Sequence, residues 1–334
     1  MSRVWISGIA GFLGTNLANY LFSRGHNVSG WDNLSTGDRS NVSDNITWLC
    51  ADIEEILPEH LDGIDVVYHV AAAAYEGVSN FSPAFIGRNI YAGSARVFSA
   101  AIAAGVKRIV FTSTMARYGH PLGKRPFVET DDPIPVDPYG IAKLAAERLL
   151  INLCETHGAE RAIAVPHNIY GRYQKYNDPY RNVCAIFANR MLQGQPPIIY
   201  GDGSQMRCFS FVSDVVPSLA RMGFDPAASG EIINIGPDEG AVDILTLAQM
   251  LAEITGCNCD PIFVPARPRE VKHAVCSSDK ARRLLGFEQK VELYEGLCEL
   301  VEWIRRRGPK PFDYHLEMEI RSDITPETWA QKKI

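Results

Sequence analysis

"RVWISGIAGFLGTNLANYLFSRG", residues 3–25, decides how the chain begins to fold. "RVWISG" has the apolar, β-branched character of a buried strand. "GTNLANYLFSRG" repeats its apolar residues at helical spacing and ends in Gly25. Between them stand Gly8, Gly11 and Gly14. A tight strand-to-helix turn needs a residue without a β-carbon, and close backbone approach to a pyrophosphate needs another; Phe12 and Leu13 then open a helix whose free N–H groups favour an anion. Three glycines alone are also an ordinary tight turn, so the surroundings decide between the two.

Working outward, the same rhythm continues. "NVSGWD" (27–32), "ITWLCAD" (46–52), "GIDVVYHVA" (63–71), "VKRIVFTST" (106–114) and "AIAVPHNIYG" (162–171) read as strands. "RNIYAGSARVFSAAIAAG" (88–105) and "DPYGIAKLAAERLL" (137–150) read as helices. Strand and helix in alternation predict an α/β fold with a doubly wound parallel sheet of the Rossmann kind. After residue 171 the pattern changes to a polar loop, "RYQKYNDPYRN", and helices at 183–194, 244–256 and 293–308. Residues 1–171 are therefore expected to form the dinucleotide half, with 209–236, including the strand "EIINIG", returning to it. Residues 172–208 and 237–310 are expected to form a smaller α/β substrate lobe, and 311–334 an arm or lid.

Composition excludes several classes. Hydrophobic residues make up 46% and charged residues 22% of the 334, an ordinary globular balance. The net charge of −6 argues against a nucleic-acid surface. The N-terminal sequence shows neither a signal peptide nor a membrane anchor, so a cytoplasmic protein is expected. The eight cysteines are scattered. Only Cys257 and Cys259 are close, without the histidines of a zinc site, and reduced thiols and no metal are expected.

Asp32 ends the second strand, 18 residues beyond Gly14. A carboxylate there accepts both hydroxyls of a ribose and repels a 2′-phosphate, which favours NAD over NADP. Asp52 and Ile53, after the third strand, are placed to hold the adenine. Tyr139 and Lys143 lie one helical turn apart. They are either the polar edge of an amphipathic helix or a proton-transfer pair. As a pair, the ammonium and an oxidised nicotinamide would both lower a phenol pKa that is ordinarily near 10. The phenolate would then take a hydroxyl proton.

"GIAGFLG", "DNLSTG" (32–37), "HVAA" (69–72), "STMARYG" (113–119) and Tyr139-Gly-Ile-Ala-Lys143 occur in an order that resembles the extended short-chain dehydrogenases/reductases. Within that superfamily the chain is similar to the nucleotide-sugar 4-epimerases and their dehydratase relatives, from residue 2 to about residue 305. The resemblance implies NAD contacts at Asn33, Thr36 and Gly37, at Val70, Ala71 and Ala72, and at Asn89, Thr112 and Pro166. It implies that Thr114 hydrogen-bonds the substrate oxygen, with Met115 beside it. The dehydratases carry Asp-Glu directly after that threonine, and the decarboxylases keep a glutamate at the second place. Met115 and Ala116 stand there instead, and neither transfers a proton.

For the nucleotide diphosphate, the resemblance implies Asn168, Asn182 and Val183, Tyr200 as a stacking face for the base, and Arg207 and Arg267 as phosphate cations. The planar fork of arginine suits two phosphate oxygens at once. Glu76, His120 and Arg181 are candidates for the hexose, and Arg181 or Arg172 for a uronate carboxylate. Arg269 stands where the family usually has glycine, and Cys208 where an aspartate often follows the arginine. The expected activity is NAD-dependent epimerisation at C4 of UDP-glucose, a UDP-N-acetylhexosamine or UDP-glucuronate through a 4-keto sugar. A dehydratase or decarboxylase, and an idle NAD-sensing protein, stay open as alternatives. The resemblance also implies a homodimer through the helix near 89–104 and the helix bearing Tyr139.

Overall fold

In the computed structural model all residues are described except Leu122, Lys124 and Cys259. The large sheet has seven strands: β1 (Arg3–Ser7), β2 (Asn27–Asp32), β3 (Thr47–Cys50), β4 (Val66–His69), β5 (Arg108–Thr112), β6 (Glu160–Pro166) and β7 (Ile232–Ile235). Their order is β7-β6-β5-β4-β1-β2-β3, and every pairing is parallel. This is the doubly wound α/β fold that the alternating pattern predicts. The order reverses between β1 and β4, so a crevice opens at their carboxyl ends, where Ser7 pairs with both Trp31 and His69.

Helices cover both faces. On one, α1 (Phe12–Ser23) buries Leu13, Leu17 and Leu21. They meet Val215, Val216 and Leu219 of a later helix, Val212–Met222, in a single cluster with Val4 and Ile6. On the other face α2 (Gly93–Ala103) and α3 (Pro138–His157) enclose Trp5, Phe98, Phe111, Ala146, Leu150 and Ile163. In a further hydrophobic cluster α4 (Val183–Leu192), α5 (Ile244–Thr255) and α6 (Leu293–Arg307) bring together Phe187, Leu251 and Leu300.

Two local readings differ from the sequence pattern. The sixth strand is not continuous to residue 171: it ends at Pro166, and Asn168 takes φ 45°, a left-handed turn that asparagine tolerates. The chain then resumes at Ile169–Tyr170, paired in parallel with Ser210–Phe211 in a separate small sheet. The helix expected at 88–105 begins earlier, at Pro83, and includes a π-helical stretch, Gly87–Ala92, before α2. The segment after α6 folds back onto the helical run that begins at Pro83. Glu319 accepts the backbone N–H groups of Ala84 and Phe85 at 2.8 and 2.7 Å, capping that helical run, and Trp329 packs on Phe81.

Cys50, Cys154, Cys184, Cys208, Cys276 and Cys298 are free thiols, and Cys259 lies outside the described residues. Among the described residues no helix is long and apolar enough to cross a membrane.

Leu17 is fully buried where α1 meets the sheet and the Val212–Met222 helix. Leu17→Ala is expected to cost about 2–5 kcal/mol in urea unfolding, as the cavity adds to the lost transfer energy. A loss below about 1 kcal/mol would contradict this packing.

Candidate active site

The glycine turn is built on close backbone approaches. Gly8 has φ 71°, and a β-carbon there would sit 2.9 Å from Ala71 Cα; one on Gly14 would sit 1.9 Å from the Gly8 carbonyl oxygen. No side chain fits at either place, and the turn leaves an open cradle at the N-terminus of α1. Asp32 ties the cradle to the next loop. Its carboxylate accepts the N–H of Ala10 at 3.0 Å and of Leu34 at 2.7 Å. Gly37 presses from behind, since a β-carbon there would meet Asp32 Oδ1 at 2.7 Å. Burial raises the Asp32 carboxyl, while the N–H groups of Leu34, Ala10 and Gly11 oppose the shift.

Asn33 donates to Asp52 at 2.8 Å, joining the ends of β2 and β3. Ser7 Oγ accepts the N–H groups of Val70 and Ala71, both at 3.0 Å, and so shapes the floor that Ala72 continues. Asn89, in the π-helical stretch, accepts the Ala73 N–H at 2.7 Å. Gly8, Gly11, Phe12, Leu13, Gly14, Asp32, Asn33, Thr36, Asp52, Ile53, Val70, Ala71, Ala72, Asn89, Thr112 and Pro166 line one continuous cavity of about 770 Å³. The cradle, the carboxylate at the end of β2 and the buried, unpartnered Thr112 hydroxyl fit a bound dinucleotide.

The same cavity reaches Tyr139, Lys143 and Thr114. Tyr139 sits in the first turn of α3, one residue from Gly140. A β-carbon on Gly140 would meet the Ala116 carbonyl at 2.7 Å, so the helix start presses directly on the turn that follows Thr114. Thr114, whose hydroxyl oxygen accepts the Ala116 N–H at 3.2 Å, lines the cavity together with Tyr139. Burial pushes the phenol well above its ordinary 10.0; Thr114 and Arg181 draw it down, and Glu76 and Asp137 push it up.

Lys143 Nζ donates to the Thr112 carbonyl at 2.7 Å and lies 4.8 Å from the Phe111 ring centre. Burial lowers it to about 7, and Glu147 opposes that shift. The expected depression of the phenol by Lys143 is therefore not seen in the chain by itself. The ammonium is spent on a carbonyl, and desolvation dominates at Tyr139.

At the far end, both phosphate-binding candidates converge on a residue the sequence pattern did not single out. Glu270 Oε1 is 2.5 Å from Arg267 Nη2 and 3.9 Å from Arg207 Nη2. The Arg267 guanidinium lies 5.0 Å over the Tyr200 ring, and the Tyr200 hydroxyl bonds Thr328 at 2.6 Å, so that ring already carries a partner on one face. Asn168 donates to the Cys208 carbonyl, and Asn182 caps α4 by accepting the Cys184 N–H at 2.8 Å. Met115 and Val183 line the wall between them. Arg181 joins the two halves: it donates to Thr36 at 2.8 Å, lies 3.5 Å from Asp178 and covers the Tyr75 ring.

Glu76 also faces this end of the cavity. His120 and Arg172 do not. His120 is exposed and lies outside the cavity lining, and Arg172 pairs with Glu299 at 2.6 Å. Arg269 has φ 62°, the backbone region that favours glycine, which accounts for the glycine usual at that place.

Asp137, Glu147, Glu270 and the residues of the last segment were not anticipated. Asp137 had a visible signal, an aspartate directly before a proline at a helix start, and Glu147 another, one turn beyond Lys143. His315 and Trp329 reach the cavity by tertiary folding alone, and no spacing announces them.

The family described as "NAD dependent epimerase/dehydratase family" matches residues 4–236. That is more than half of the chain, and the protein belongs to this family. A UDP-glucose 4-epimerase of Mycolicibacterium smegmatis is 32% identical over 324 residues, covering 92% of this chain and 99% of that protein. UDP-glucuronic acid decarboxylase 4 of Arabidopsis thaliana is 33% identical over 320 residues, covering 91% of this chain and 69% of that protein. The crystal structure of UDP-glucose 4-epimerase from Thermotoga maritima with UDP-glucose has a TM-score of 0.86 at 32% identity, covering 91% of this chain and 99% of that one.

Asp137 accepts the Gly140 N–H at 2.8 Å as the N-cap of α3. Burial first, and Glu76 second, raise its carboxyl above the ordinary carboxylate range. A carboxyl whose folded value lies above its unfolded value contributes stability that is present below the unfolded value and lost as pH rises through the folded one. Asp137→Asn keeps an acceptor for the cap and removes that loss. The variant's Tm relative to the parent should therefore rise between about pH 5 and about pH 8. A difference that does not change with pH would refute the assignment.

Proposed function

We propose that the protein interconverts the two C4 configurations of a nucleotide-diphosphate sugar, with a UDP-hexose or UDP-hexuronate as substrate and NAD retained throughout. One observation carries the reading. Tyr139 and Thr114 line the same cavity as the dinucleotide cradle and two arginines, with Thr114 drawing the phenol down, while Met115 and Ala116 occupy the places of an acid and a base.

In this reading Gly8, Gly11 and Gly14 hold the pyrophosphate of NAD, Asp32 the adenine ribose and Lys143 the other ribose. When bound, oxidised NAD supplies hydride exchange at C4 and a positive ring whose field favours the phenolate. Tyr139 Oη takes the proton of the C4 hydroxyl and later returns it, and the Thr114 hydroxyl shares that path. Arg207 and Arg267 hold the diphosphate while the sugar ring turns to present its other face. Neither Met115 nor Ala116 removes a proton from C5 or protonates a leaving hydroxyl, so elimination has no acid or base at these positions.

Incubation with UDP-glucose, UDP-N-acetylglucosamine and UDP-glucuronate, followed by NMR, tests this. The expected result is reversible formation of one C4 epimer. Tyr139→Phe should lower turnover about 100-fold to 10,000-fold without loss of bound NAD. Released carbon dioxide or water would replace the reading with decarboxylation or dehydration. Bound NAD with no sugar conversion would support a sensing role.

A cytoplasmic homodimer is part of the same proposal. Tyr91 and Ile141 are exposed on the two helices expected to pair. Light scattering should give about twice 37.0 kDa, and a mass near 37.0 kDa would contradict the dimer.

A further inference from the structure

The strand end that carries Thr114 and the helix that carries Tyr139 are fastened by a buried carboxylate outside the proton path. Glu147 lies one turn beyond Lys143 on α3 and is 1% exposed. Its Oε1 accepts the Ser113 hydroxyl, and its Oε2 stands 3.1 Å from Arg117 Nη2. Ser113 directly precedes Thr114, and Arg117 lies in the turn that follows it, so one carboxylate grips the chain on both sides of the threonine. Lys143 closes the same joint from the helix through its bond to the Thr112 carbonyl at 2.7 Å.

We infer that Glu147 is a positioning residue of the reaction: it registers Thr114 against Tyr139 and supplies the counter-charge of the buried Lys143 ammonium. The inference rests on the reading of Tyr139 as the proton carrier.

The charges around Lys143 support it. Burial pushes the lysine down to about 7, and Glu147 draws it up. From β4 it faces His69, which burial and the Lys143 charge hold neutral, and from β5 the Phe111 ring. Burial raises the Glu147 carboxyl, and Arg117, the Ser113 hydroxyl, Lys143 and Arg148 oppose that shift in favour of the carboxylate. Without the carboxylate, Lys143 would keep a carbonyl and an aromatic ring as partners, and its ammonium would lose its proton at lower pH. A neutral lysine no longer favours a nearby phenolate.

Glu147→Gln keeps the side-chain shape and an acceptor for Ser113 but leaves Arg117 buried without its partner. Arg117→Gln combined with Glu147→Gln removes both charges and guards against simple unfolding. The protein as isolated, carrying lysine labelled at Cε with carbon-13, is titrated by NMR, and Lys143→Arg identifies the signal. In both variants the Lys143 midpoint should fall by about one pH unit or more. The alkaline limb of kcat should move down with it, while KM for the UDP-sugar changes less than about twofold.

An unchanged Lys143 midpoint in folded variants overturns the inference, whatever happens to Tm, because a merely structural role would move Tm alone. A shifted midpoint with an unchanged kcat profile overturns its bearing on the reaction. If the parent converts no UDP-sugar, the proposed function fails by itself, and the titration still decides whether Glu147 supplies the charge.

Discussion

The approach of Gly14 to the Gly8 carbonyl is the constraint from which the site grows. At that separation the α1 backbone lies directly against the end of β1, and its first N–H groups open toward the crevice. Asp32 then accepts N–H groups from Ala10 and Leu34, so the turn after β1 and the loop after β2 move as one piece. Ser7 does the same for the loop after β4. Three strand ends are thereby locked together by short polar contacts before any ligand is considered.

The side of the cavity that holds Tyr139 and Lys143 is electrostatically unfinished. Tyr139 is buried and its phenol is held protonated, whereas Lys143 is buried and close to losing its proton. Desolvation works against the charged form of both groups. The charged form of either group therefore depends on further charges entering the cavity.

Much of this was legible in the residues. The alternating strands and helices, the glycine spacing, Asp32 at a strand end and the Tyr139–Lys143 interval are all local patterns, and they placed the sheet and the cavity floor. Legibility faded where one element meets another. The break at Asn168 depends on a left-handed backbone and on pairing with residues 210–211, which no local period encodes. Glu270 is one more charge in a charged stretch of the sequence, and only folding shows that it joins both arginines. The last segment, which brings Trp329 to the wall, has no regular spacing to read. The direction of the Tyr139 shift was also out of reach, because burial is a property of the whole molecule.

Glu270 has a consequence for traffic through the site. Both guanidinium groups at the far end already share an internal carboxylate, so under the proposed function an incoming diphosphate would exchange anions with the protein instead of meeting two bare cations. Its affinity would be the difference between two ionic contacts, with a weaker salt dependence than two free arginines would give. Under that reading the carboxylate would return to the two cations when the diphosphate leaves, a built-in competitor that would favour exchange of one nucleotide for the next over prolonged occupancy.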